Sequence, residues 1–418
     1  MSDYQLITLP NGVRIATERM PGVRSAALGI WVATGFREET ASQSGAAHFI
    51  EHMLFKGTGR SSAEQLARRM DAIGGQFNAF TTKEQTCFHT RCLDTHLPEA
   101  LDILCEMFFE SVFAEEDVVN ERGVILEEIG MYADDPADLV SEKLFEVVFK
   151  GTPLGRPILG RKASLDKMTG GWLKEYKERH YTADRVVVTL AGSFGEKLVE
   201  SIQDRFAHMT PGKGQKLKAV GVQDAFVVKR KATEQNHLQL AFPAITDNDP
   251  RRYQMQLLSS IIGGGMSSRL FQTVREKNGL CYSVYTFGTS HEDVGLFNLY
   301  TALGRDQEER ALKCIRGVLD EFLAHGPTPE ELEMVREQSK ANVLMGLEST
   351  TSRMSHLARC VLRDGRFLTA DDIIAGYDAV TARQVMELAR ETFDYNHLSF
   401  SAVGKVAGAE DYRRMLLG

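Results

Sequence analysis

Apolar and polar residues along this chain of 418 residues fall into one ordered set of elements that occurs twice. In the first half the pattern predicts a strand over Ala26–Thr34, helices over Gln43–Phe55 and Ser62–Ile73, and strands within Gln76–Cys92. Three or four further helices follow, then a last strand. In the second half the same order returns: a strand over Asn236–Phe242, helices over Arg251–Ile262 and Ser267–Lys277, strands within Leu280–Leu303, helices, and a last strand. The plainest repeat pairs Tyr181–Gly192 with Phe393–Gly404, 212 positions apart, each reading as a polar helix end, an apolar strand and a glycine turn. This predicts an α+β protein of two homologous domains, each a mainly antiparallel sheet flanked by helices.

Length agrees with two domains of about 200 residues each. The stretch Thr210–Ala219, rich in Gly and Lys with one proline, reads as the linker, placing the domains at 1–212 and 224–418 with residues 213–223 between them. Asn11-Gly12 between Leu6–Leu9 and Val13–Ala16 adds a hairpin at the start of the first domain.

A net charge of −8 argues against nucleic acid as a partner and permits a mildly acidic cavity. The longest apolar runs, such as Ala26–Ala33, are too short to span a bilayer, and the first residues have the pattern of neither a secretory nor a transit segment. The expected compartment is the cytoplasm, without membrane association. Six cysteines lie scattered with no Cys-x-x-Cys pair; Cys87 and Cys92 fall on opposite faces of one strand, so the reading is of reduced thiols.

The chemistry concentrates in His48-Phe49-Ile50-Glu51-His52. On a helix, residues four apart differ by about 40° in azimuth, so both imidazoles point one way, with Glu51 one turn above His48 on the same side. This is half of a zinc site with a base beside it, in an order inverse to the commoner His-Glu-x-x-His. A catalytic zinc wants three protein ligands and one open position. The predicted helix over residues 115–134 offers the third: Val118, Ile125, Leu126 and Ile129 form its apolar stripe, Glu121 and Glu128 lie along one border of it, and Glu127 points away.

With these residues in hand the chain resembles the pitrilysin, insulin-degrading-enzyme and mitochondrial-processing-peptidase family of zinc peptidases, of the half-size, two-domain type. The signature is His-x-x-Glu-His followed by a distant glutamate ligand; Glu128, 76 positions after His52 (128 − 52), fits it, and the flanks Gly45-Ala46-Ala47 and Phe55-Lys56-Gly57-Thr58 agree. The resemblance extends over essentially the whole chain. It implies Zn²⁺ on His48, His52 and Glu128, Glu51 as the catalytic base and Glu121 as an accessory acid. It further implies that Gln76–Thr82 is an edge strand to which a peptide adds, with Asn78, Ala79 and Phe80 meeting it, and that Arg275 and Tyr282 contact the substrate backbone and scissile carbonyl. The second-half counterpart of the motif, Arg251–Leu258, has neither His nor acid, so zinc belongs to the first domain.

The function so implied is a zinc endopeptidase acting on short or unfolded peptides. The family encloses its substrates between two two-domain halves, so this chain is expected to form a homodimer. A heterodimer with a metal-less relative is the alternative, and a non-catalytic structural subunit is disfavoured by the intact motif. Gly263-Gly264-Gly265-Met266-Ser267-Ser268 lacks the lysine of a phosphate loop and reads as a turn.

Overall fold

The computed structural model describes residues 3–213 and 217–418, and the expected linker falls partly on residues outside that set. Among the described residues eleven strands form two sheets. The first comprises β1 (Asp3–Thr8), β2 (Arg14–Arg19), β3 (Ser25–Val32), β4 (Gln76–Thr81), β5 (Thr86–Leu93) and β6 (Val186–Gly192), in the order β1-β2-β6-β3-β5-β4. The second comprises β7 (Phe226–Arg230), β8 (Asn236–Ala244), β9 (Ser283–Ser290), β10 (Gly295–Leu303) and β11 (Ser399–Gly404), in the order β7-β11-β8-β10-β9. Matching β2, β6, β3, β5 and β4 to β7, β11, β8, β10 and β9 makes the two orders identical. In both, the first matched pair is parallel and the rest antiparallel. The α+β duplication expected from the pattern is therefore the fold, with β1 as an extra strand that pairs with β2.

The repeat is faithful down to its glycines. Gly192 and Gly404 end β6 and β11 with φ of +126° and +138°, a region that side chains disfavour. A Cβ there would also strike the Ser25 carbonyl oxygen in the first sheet and Asn236 Oδ1 in the second.

The chain divides into two compact units that are not contiguous in sequence. One holds the residues up to Ile129, Arg156–Leu217 and Leu344–Thr369; the other holds Gly130–Gly155, Lys218–Val343 and Ala370–Gly418. Division of the sequence at 213–223 takes no account of these two exchanged segments. Helix Thr350–Arg359 covers one face of the first sheet, where Met354, Leu357 and Ala358 pack with Trp31, Cys87, Val187 and Ala191. Helix Pro136–Val148 does the same in the second unit, placing Leu139 and Val140 with Tyr300, Ala302 and Val403. Both faces of the central strands are thereby dry, and this is why β6 and β10 are buried along their whole length and read as apolar runs rather than alternations. Each fully buried side chain such as Leu357 contributes about 1.5–3 kcal/mol relative to exposure.

Cys92 packs in the main core of the first unit and Cys87 on the opposite sheet face, as strand alternation requires. One segment departs from expectation. Over Phe271–Lys277 the predicted α-helix is widened to a π-helix, which keeps Leu270 and Val274 buried and leaves Arg275 between the rings of Phe271 and Tyr282.

Candidate metal centre

The motif helix runs from Ala46 to Met53, inside the limits read from sequence. It starts at Gly45, whose φ of +97° and whose contact with Gly160 leave no room for a side chain. The buried Glu39 carboxylate then accepts the amides of Gly45 at 2.7 Å and Ala47 at 2.8 Å, satisfying helix donors that would otherwise be orphaned in the core. Phe49, Ile50 and Met53 are buried, which sets the rotation of the helix and turns His48, Glu51 and His52 the other way.

Helix Glu115–Asp134 meets this face with the phase its apolar stripe predicts. Val118, Glu121 and Ile125 are buried, Glu128 is half-buried, and Glu127 is exposed. Glu128 Oε2 lies 3.6 Å from His48 Nε2 and 3.7 Å from His52 Nε2. These separations are too long for hydrogen bonds. They are close to the roughly 3.3 Å between ligand atoms that bonds of about 2.0–2.1 Å in a tetrahedral zinc site imply. One ligand atom from each of the three residues falls within 4.8 Å of the others, the only such cluster of His, Cys, Asp or Glu among the described residues.

Protonation states fit the same use. Burial pushes the His48 imidazolium down to about 3, helped by the neighbouring His52, so His48 is neutral and can offer a lone pair. His52 Nδ1 sits 2.8 Å from Glu121 Oε1, and a carboxylate there holds the proton on Nδ1 and leaves Nε2 as the free donor atom facing Glu128. Burial raises the Glu51 carboxyl above its ordinary value, while a 2.5 Å bond from Thr81 Oγ1 and the nearby His52 pull it back. A carboxylate so raised is a better proton acceptor than an exposed one. Burial likewise raises Glu128, with His52 opposing.

Beside these groups opens a cavity of about 210 Å³, with Glu51, His52, Lys56, Asn78, Ala79 and Glu121 in its lining. β4 bonds only to β5 and is an edge strand. Asn78 and Ala79 reach the cavity, whereas Phe80 turns to the other sheet face, edge-on to Trp31 at 5.6 Å. In the second unit Arg275 lies over the Tyr282 ring at 5.0 Å, and Tyr282 is 73% exposed. Two partners had no role in the sequence reading. Thr81 follows Ala79 by two on the strand, hence faces the same side, and Lys56 follows His52 by four, the spacing that places side chains together at a helix end.

Two family models match in tandem: insulinase, peptidase family M16, over residues 14–162, and the peptidase M16 inactive domain over residues 167–339. The chain is 41% identical to the uncharacterised zinc protease YmxG of Bacillus subtilis, over 92% of this chain and 95% of that one. The chain is a metalloprotease of the insulinase family, M16. An uncharacterised zinc protease of Streptomyces coelicolor is 39% identical over 95% of this chain and 88% of its own. Among solved structures, a peptidase M16 inactive domain from Pseudomonas fluorescens superposes with a TM-score of 0.89 at 21% identity, covering 97% of this chain and 99% of that one. A protease from Helicobacter pylori gives 0.89 at 18%, covering 97% and 100%. At those identities the two structures speak for the M16 fold alone. Among the described residues no helix is long and apolar enough to cross a membrane.

Proposed function

We propose that this M16 protein is a zinc-dependent endopeptidase of the cytoplasm that cuts short or unfolded peptides, with His48, His52 and Glu128 as the zinc ligands. The observation that carries this reading is the convergence of His48 Nε2, His52 Nε2 and Glu128 Oε2 beside a Glu51 held by Thr81. Zinc, when bound, supplies a Lewis acid that polarises a peptide carbonyl and activates water. Glu51 takes the proton of the attacking water and delivers it to the leaving amine. Glu121 fixes the His52 tautomer, and the open edge of β4 at Asn78 and Ala79 holds an extended peptide by main-chain bonds, which favours unfolded substrates over sequence.

Arg275 and Tyr282 are the donors proposed for the developing oxyanion, completing the site in trans: zinc from one subunit of a homodimer, the pair from its partner. The exposure of Tyr282 supports its availability to a substrate. Mixing Glu51→Gln chains with Tyr282→Phe chains tests this arrangement. Each heterodimer then holds one doubly altered and one intact site, and activity should return toward half of wild type per heterodimer. No recovery despite demonstrated subunit exchange rejects the composite site. Purified protein should degrade flexible peptides, lose that activity to a chelator and spare folded proteins; a stably folded protein cleaved as fast as a peptide of its sequence would contradict the proposed selectivity.

A further inference from the structure

Lys56 sits in the turn just after the motif helix, with its amide on the Met53 carbonyl at 3.1 Å. That turn is firmly held. Gly57 has φ +115°, and Thr58 Oγ1 donates at 2.6 Å to Glu106, a carboxylate with no exposure that also accepts from Arg69 at 2.5 Å. From this base Lys56 Nζ reaches Glu121 Oε2 at 2.6 Å, while the other oxygen of Glu121 takes the His52 Nδ1 contact at 2.8 Å. The result is a line of three side chains, cation to carboxylate to imidazole, ending at Nε2 of a metal ligand.

We infer that Lys56 is a positioning residue for the zinc centre: by gripping the far oxygen of Glu121 it holds that carboxylate on His52 and so sets the orientation of a ligand it does not touch. The inference rests on the zinc-site reading above. Its physical basis is the difference in exposure along the line. The Lys56 side chain is 35% exposed, so as a surface ion pair its bond would count for little. The Glu121 side chain is only 7% exposed, and without Lys56 a nearly buried carboxylate would keep the imidazole as its one polar partner on this line and turn toward water. That turn loosens His52. A simple field effect has the opposite sign, since removing a cation near a dication tightens binding, so the direction of change separates the two.

The test is zinc affinity measured by chelator competition on metal-free protein, for wild type, Lys56→Met, Lys56→Arg, Glu121→Gln and the Lys56→Met/Glu121→Gln double variant. Lys56→Met should weaken zinc about 10-fold, the lower end of the range for partners of ligands, and Lys56→Arg should restore most of it. In the Glu121→Gln background Lys56→Met should add nothing, because residues acting through one contact are not additive. Unchanged or tighter zinc in Lys56→Met overturns the role, as does an equal loss in both backgrounds. So does normal zinc affinity with a raised KM confined to acidic peptides, which would make Lys56 a substrate contact. If Lys56→Met does not fold, judged by the melting of metal-free protein, Lys56→Ala, which likewise leaves no donor for Glu121, replaces it under the same criteria. Failure of the underlying reading looks different: wild type itself would bind no zinc, or bind it undiminished by His48→Ala.

Discussion

The helix Ala46–Met53 on β4 and the helix Arg252–Gly263 on β9 are the same piece of architecture, repeated in the two units, with different chemistry. Both tie the helix to the edge strand through a hydroxyl: Thr81 bonds Glu51 at 2.5 Å in the first unit, and Thr286 meets the Ser259 hydroxyl at 3.0 Å and its carbonyl at 2.8 Å in the second. Both leave a cavity beside the helix, of about 210 Å³ and about 290 Å³. Around the first stand Glu51, His52 and Glu121; around the second stand Gln256, Ser259 and Ser260, with Asp247 as the one carboxylate in its lining. The scaffold thus needs a polar bond from helix to edge strand but not the cluster of carboxylates and imidazoles, which is an addition to it. That addition is costly. Carboxylates and imidazoles at a half-dry site must be paired or must hold a cation, whereas Ser and Thr hydroxyls satisfy each other.

The largest expected effects attack the first member of this comparison. His48→Ala, His52→Ala and Glu128→Gln should each bring zinc, by elemental analysis, to background and abolish hydrolysis, with nothing in the second unit to replace it. Glu51→Gln should keep its zinc and lose roughly 10²- to 10⁴-fold in kcat, the usual share of a general base. Zinc absent from Glu51→Gln but retained in His52→Ala would reverse the assigned roles.

Next in size, Tyr282→Phe should lower kcat about 10²- to 10³-fold with zinc unchanged, as for loss of one oxyanion donor. A variant at wild-type speed would leave the second unit without a part in the chemistry. Smaller still, Glu121→Gln should weaken zinc about 10- to 100-fold. Glu127→Gln, one residue before the proposed ligand Glu128 but exposed, should stay within about twofold of wild type in kcat/KM. Similar losses at both positions would mean that the helical phase is wrong.

The smallest effect belongs to the second unit. Ser259→Ala removes a hydrogen bond worth about 0.5–1.5 kcal/mol, lowering Tm by about 2–4 °C per kcal/mol, and should leave zinc content and hydrolysis intact. A loss of zinc there would show that the two helices are not independent in function.

The positions of His48, Glu51 and His52, the burial of Glu121 and Ile125 and the exposure of Glu127 were legible because helical period is a local property that the apolar residues of the same segment report. The duplication was legible for a similar reason, in Tyr181–Gly192 and Phe393–Gly404, where each copy carries its own apolar strand and its own glycine. Lys56 and Thr81 stood in plain view without a role, since a lysine one turn past the proposed ligand His52 and a threonine on a strand find their partners only once the acidic helix and the edge strand are in place.

By itself, then, the sequence determined what short-range periodicity and residue chemistry can encode: an α+β unit used twice, one copy with zinc-binding residue types and one without, and the face on which each charged side chain lies. Tertiary structure alone decided which distant segments meet. It gave Thr350–Arg359 to the first sheet and Pro136–Val148 to the second, and it set Glu128 between two imidazoles and Glu121 between His52 and Lys56. Hydrophobic burial is non-directional, so an apolar helix face specifies that it will be covered but not by which part of the chain. Only the packing inside each unit selects the partner.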